Sequence, residues 1–127
     1  MSRFLWICLG GAVGTGARYL VSAWVLARLG PAFPWGTLVV NAIGCFLLGA
    51  LMHVGLATDL VSPTLRIALA TGVMGGFTTY STLNYETLEY LRDGAVRLAA
   101  LNIGATVIVC LAAGQLGLAA ARALVGG

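Results

Sequence analysis

The sequence predicts an all-α membrane protein of four transmembrane helices, the third broken at its middle, in one domain spanning residues 1–127. Two observations carry most of that expectation. Of the 127 residues 60% are hydrophobic and only 9% charged, with a mean hydropathy of +0.98, well outside the composition of a soluble domain. Low-charge runs at 4–27, 35–58, 67–85 and 98–121 each supply the roughly 20 residues that a spanning helix needs. The N-terminal run begins like a secretory signal with Arg3, but it outlasts an apolar signal region and carries Arg18 inside it, so it reads as a retained helix.

A third observation concerns charge. If the helices alternate across the bilayer, Arg3, Arg66 and Arg122 fall on one side and Arg28, Arg92 and Arg97 on the other. No excess exists to orient the chain by the positive-inside rule. Two readings follow: one orientation fixed by a weaker signal, or copies inserted both ways and paired antiparallel, as in the inverted repeats of larger transporters. Four helices leave little room to enclose a polar path, which favours an oligomer. The net charge of +3 is scattered over arginines with no basic run, so no nucleic-acid partner is expected. Cys8, Cys45 and Cys110 lie in apolar runs and predict no disulfide framework.

In the first helix, LGGAVGTGARYL sets Gly10 and Gly14 four apart, a face that admits another helix closely. Arg18 lies about 20 Å along that helix from Phe4. It reads either as an interfacial anchor beside Tyr19 and Trp24 or as a charge at a pore mouth.

The second helix follows Pro31 and Pro34 and starts at an interfacial Trp35. Its Thr37 and Asn41 share one face at i and i+4, with Gly44 continuing the stripe. Asn41 either bonds across a helix interface or lines a polar path. His53 reads as interfacial. The fourth helix offers a weaker stripe of Asn102, Thr106 and Cys110, with Gly104, Gly114 and Gly117 for close packing.

The third segment, TGVMGGFTTYSTLNYE, is the informative one. Gly72, Gly75 and Gly76 precede Phe77-Thr78-Thr79, and their low helix propensity predicts a break there. Within a membrane, freed backbone is tolerated only where protein buries it or a wet cavity receives it. Beyond the break Thr79, Thr82 and Glu86 fall on one stripe, a track of hydrogen-bonding groups.

Taken together, GGAVGTGARY, WGTLVVNAIG and GVMGGFTTYSTLNYET, in this order and at these separations, resemble the Fluc (CrcB) fluoride channels, whose stretches read approximately GGxxGAxxRY, GTLxxNxxG and GGxTTFSTF. The likeness covers nearly the whole chain. It implies a passive fluoride-selective channel that exports cytoplasmic fluoride across the bacterial inner membrane. The assembly it implies is an antiparallel dual-topology homodimer with two pores; a paralogous partner is the other option.

The resemblance also implies a structural sodium ion at the dimer centre, held by the backbone carbonyls of Gly75 and Thr78. Carried over residue by residue, the pore lining is Thr37 and Asn41 from the second helix and Thr79, Ser81, Thr82 and Glu86 from the third. The aromatic box departs from the pattern. Where the family has FSTF, this chain has Tyr80-Ser81-Thr82-Leu83, so Tyr80 keeps an aromatic edge and adds a phenolic donor while Leu83 offers neither.

The alternative function is a small dual-topology, proton-coupled exporter of the small multidrug resistance kind. That class needs a carboxylate facing a substrate cavity, whereas the first helix has no acid and Glu86 lies toward the end of the third. No nucleophile–base pair or metal-ligand cluster points to an enzyme.

Overall fold

The computed structural model describes residues 2–126 and is helical throughout, with no strand among the described residues. The elements are α1 (Ser2–Leu29), α2 (Trp35–Ala57), α3 (Pro63–Ile67), a π-helical stretch (Ala68–Met74), α4 (Gly75–Phe77), α5 (Tyr80–Arg92) and α6 (Val96–Val125). Of these, α1, α2 and α6 are long and apolar enough to cross a membrane. The third run is not one helix. Its polypeptide is helical from Pro63 to Phe77, opens at Thr78 and Thr79, and resumes at Tyr80.

Local chemistry sets the boundaries. Gly30 takes φ +77° just after α1, and its N–H donates to the Leu26 carbonyl at 2.9 Å, closing the last turn. Gly94 does the same job after α5 at φ +73°. At the start of α3, Ser62 Oγ accepts from the Leu65 N–H at 3.2 Å, and Pro63 occupies a first-turn position where its missing N–H is no loss.

The third segment is broken near its middle, as the sequence predicts, but the break does not fall at the glycines themselves. Helical backbone runs through Gly72, Gly75 and Gly76, and the break falls past them at Thr78–Thr79. The reason is packing. A Cβ on Gly72 would lie 2.8 Å from the Ile7 carbonyl oxygen, and one on Gly76 would lie 2.5 Å from that of Gly11. From the other side, a Cβ on Gly10 would lie 2.6 Å from the Ala68 oxygen, and one on Gly14 would overlap the Val73 oxygen. Two glycine pairs at four-residue spacing therefore face each other, and α1 runs parallel to the 63–77 segment with the backbones in contact.

A second parallel pair is formed by α2 and α6. A Cβ on Gly49 would come within 2.5 Å of the Gly114 oxygen, and one on Gly117 would strike the Phe46 backbone. Between these pairs the core is thin: Val25, Val40, Phe77, Leu83, Ala99 and Ala121 are buried, whereas Phe4, Trp6, Leu9 and Val13 stand exposed along α1. Such an apolar exterior is what hydrocarbon, not water, surrounds. The chain is a membrane protein.

Candidate functional site

The site is organised by the interruption. Thr78 and Thr79 both have extended backbones, with φ/ψ of −81°/157° and −150°/116°. The Thr79 N–H donates to Asn41 Oδ1 at 2.7 Å, and Asn41 Nδ2 donates to the Thr79 carbonyl at 3.0 Å. One buried amide on α2 thus pairs with both backbone polar groups of Thr79, a residue that lies in no helix. The Thr79 hydroxyl then caps α5, accepting from the Thr82 N–H at 3.2 Å while donating to Thr82 Oγ1 at 2.9 Å. Ser81 Oγ lies 3.3 Å from the same oxygen.

These bonds free two carbonyls. In a continuous helix the Thr79 N–H would return to the Gly75 oxygen and the Thr82 N–H to the Thr78 oxygen. Here both donors are taken by side-chain oxygens, and among the described residues no group donates to either carbonyl.

Thr79 also separates two recesses. On one side, a cleft of about 280 Å³ is lined by Thr15, Arg18, Ser22, Thr37, Thr79 and Thr82. It shares Ser22, Thr37 and Thr82 with a further recess of about 230 Å³ that reaches Glu86 and Trp35. On the other side, a cleft of about 480 Å³ lies between α2, α5 and α6 and includes Asn41, Thr78, Tyr80, Leu83 and Thr106. Thr79 lines both.

The residues singled out from sequence distribute as follows. Thr37, Thr79, Thr82 and Arg18 share one cleft, and Glu86 joins it through Thr37, whose Oγ1 donates to Glu86 Oε1 at 2.6 Å. The other Glu86 oxygen is buried and has no partner among the described residues. Asn41, Thr78, Tyr80 and Leu83 line the opposite cleft. Within that cleft Tyr80 is 80% exposed and Leu83 only 8%. Ser81 is exposed and touches the site through its bond to Thr79, and Gly75 is exposed with open space where a Cβ would stand. His53 sits apart, its Nε2 3.0 Å from the Gly126 carbonyl.

Sequence reasoning missed Ser22 and Thr87, and read Asn102 and Thr106 only as a weak stripe on the fourth helix. Ser22 faces Thr37 across the cleft because Gly36 lets α1 approach, its Cβ position lying 3.2 Å from Ser22. Asn102, 1% exposed, donates to Thr87 Oγ1 at 3.1 Å, and Thr87 donates to the Leu83 carbonyl at 2.7 Å, a relay that ties α6 to the broken segment. Thr106 is buried with an unpartnered hydroxyl on the larger cleft. The four-residue spacing of Asn102 and Thr106 was the available signal, but spacing alone does not say which neighbour a stripe meets.

Chemically, the arrangement presents hydroxyl and guanidinium donors on one side of a non-helical peptide and an amide, a phenol and a hydroxyl on the other. Such groups replace water around a small anion. The family model of the CrcB-like protein, Camphor Resistance (CrcB), matches residues 5–118. "Fluoride-specific ion channel FluC" of Sorangium cellulosum is 53% identical over 127 residues, covering 100% of both chains. The protein of that name from Anaeromyxobacter dehalogenans is 57% identical over 113 residues, 89% of this chain and 90% of its own. That of Geobacter sulfurreducens is 50% identical over 124 residues, 98% and 100% of the two chains. With a family model spanning most of its length and relatives matched end to end, this chain belongs to the CrcB family.

Proposed function

We propose that the chain is a passive fluoride channel of the bacterial inner membrane, crossing it four times, with 63–92 as a discontinuous third crossing. The observation that carries this reading is the Asn41-braced break at Thr79, with donor-lined recesses on both of its faces. Fluoride is strongly hydrated, so its passage needs several donors in sequence. Arg18, Thr82 and Ser81 provide them on one side, joined by Thr37 and Thr79 when their hydroxyls turn from Glu86 and Thr82 to the ion, and Tyr80, Asn41 and Thr106 provide them on the other. No nucleotide-binding motif is present, and downhill efflux needs none.

The same reading extends to assembly. The larger cleft lies open on one face of the chain although it carries Asn41, Thr78 and Thr106. At membrane depth a polar face with free carbonyls must be covered by protein or water. A second copy, inserted in the opposite orientation as the arginine balance permits, covers it and completes the path. The partnerless Gly75 and Thr78 carbonyls fit a sodium ion, since neutral backbone oxygens are hard ligands suited to an alkali cation. Bound there, sodium would neutralise the carbonyl dipoles of the break and tie the two copies together. The test is rescue: expression in a bacterium lacking its own fluoride exporter restores growth in millimolar fluoride, and expressed, membrane-inserted protein that gives no rescue overturns the reading.

A further inference from the structure

Ser22 is half-buried where two recesses meet, and its hydroxyl has no partner among the described residues. A serine or threonine in or at the end of a helix can return its hydroxyl to the carbonyl one turn back. Thr58, Thr78 and Thr87 do so, donating to Val54, Met74 and Leu83 at 2.7, 2.9 and 2.7 Å. Ser22 makes no such bond. Its place follows from helix spacing, since Thr15, Arg18 and Ser22 stand at i, i+3 and i+7 on α1 and line one cleft together. Gly36 seats α1 against the start of α2: a Cβ there would lie 3.2 Å from the Cα, Cβ and carbonyl oxygen of Ser22. Ser22, Thr37 and Thr82 line both the Arg18 cleft and the recess that reaches Glu86, one hydroxyl from each of α1, α2 and α5.

These three hydroxyls are not equivalent. Thr37 gives its proton to Glu86 Oε1 at 2.6 Å. Thr82 Oγ1 accepts from Thr79 at 2.9 Å, which leaves the Thr82 proton uncommitted among the described residues. The junction therefore has two free hydroxyl protons, Ser22 on the α1 wall and Thr82 on the α5 wall. We infer that Ser22 is a fluoride-contacting donor which, with Thr82, passes the ion between the Arg18 cleft and the Glu86 recess. This role rests on the channel reading and extends it to a third helix. The charges on either side of the junction call for such a donor. The Arg18 guanidinium attracts an anion on one side, and the Glu86 carboxylate repels it on the other while holding the Thr37 proton. An ion leaving the guanidinium keeps its place only through donors that the carboxylate has not taken. Two hydroxyls from opposite walls replace two waters of its shell.

The test is fluoride efflux from liposomes containing the full-length protein, at several internal fluoride concentrations, with melting in detergent followed on the same preparations. Ser22→Ala deletes the hydroxyl with almost no change in volume, and alanine suits a helix better than serine. Its efflux is expected to be roughly tenfold slower than wild type, the scale of one lost hydrogen bond to an ion. Its half-saturating fluoride concentration is expected to rise, which a purely structural role would not cause, and its melting temperature to be no lower than that of wild type. Ser22→Thr keeps the donor and is expected to conduct much as wild type does. Wild-type efflux in Ser22→Ala overturns the role, and so does slower efflux accompanied by a lower melting temperature, because packing then accounts for the loss. Equal loss in Ser22→Thr at the wild-type melting temperature overturns it as well. Folded wild-type protein that releases no fluoride rejects the channel reading and the role of Ser22 with it, whereas a conducting wild type matched by Ser22→Ala rejects the role alone.

Discussion

Asn41 holds Thr79 by both of its backbone polar groups, taking its N–H at 2.7 Å and giving an N–H to its carbonyl at 3.0 Å. The pairing resembles one rung of a β-ladder made by a side chain. It lets a membrane-embedded chain interrupt a helix without stranding the peptide between the halves.

Replacing Asn41 by Leu removes that rung and leaves the buried N–H and carbonyl of Thr79 unpaired. Each stranded group costs about 1–3 kcal/mol. Asn41→Leu is therefore expected to lower thermal stability as well as to reduce fluoride flux more than tenfold, measured by detergent melting and by electrode. Unchanged stability would show that water or a partner chain relieves the break.

The Thr37–Glu86 bond makes a second prediction. A hydrogen bond to a charged group contributes about 1.5–3 kcal/mol, and removing the donor leaves the partly buried carboxylate with neither oxygen bonded among the described residues. Thr37→Val should be more harmful than Thr37→Ser, and in a double-mutant cycle Glu86→Gln should soften the Thr37→Val effect. Additive effects would mean the two residues act independently.

Close packing of α1 is tested with a matched pair. A Cβ at Gly14 overlaps the Val73 oxygen, whereas nothing lies within 4 Å of one at Gly16. Gly14→Ala is expected to destabilise by about 1–3 kcal/mol, and Gly16→Ala to be neutral or stabilising by up to about 1 kcal/mol. Equal melting temperatures would contradict the α1 contact.

Leu83 is the departure from the family's aromatic box, and it faces a cleft of about 480 Å³. Leu83→Phe has room to turn its ring into that space. The expected outcome is a severalfold rise in fluoride flux at unchanged stability. A neutral or lower flux would show that Tyr80 alone serves.

Much of this was legible in the sequence because helix spacing is a local property. Thr37 and Asn41 at i and i+4 had to share a face, and the runs of apolar residues fixed the long helices. The glycines were misread because low propensity and close packing leave the same signature. Gly72 and Gly76 carry the four-residue spacing of a packing face, but only the Ile7 and Gly11 carbonyls opposite them reveal it. Nor could spacing show that Asn41 reaches Thr79, 38 residues away, rather than facing an open path.

The central claim is that this chain alone conducts fluoride past Thr79. It is tested most directly by reconstituting the purified protein in liposomes loaded with equal fluoride and chloride and following both ions with selective electrodes. The account predicts rapid, complete fluoride release with chloride retained, and loss of that release in Asn41→Leu. Folded, reconstituted protein that releases neither ion, or both alike, would contradict it.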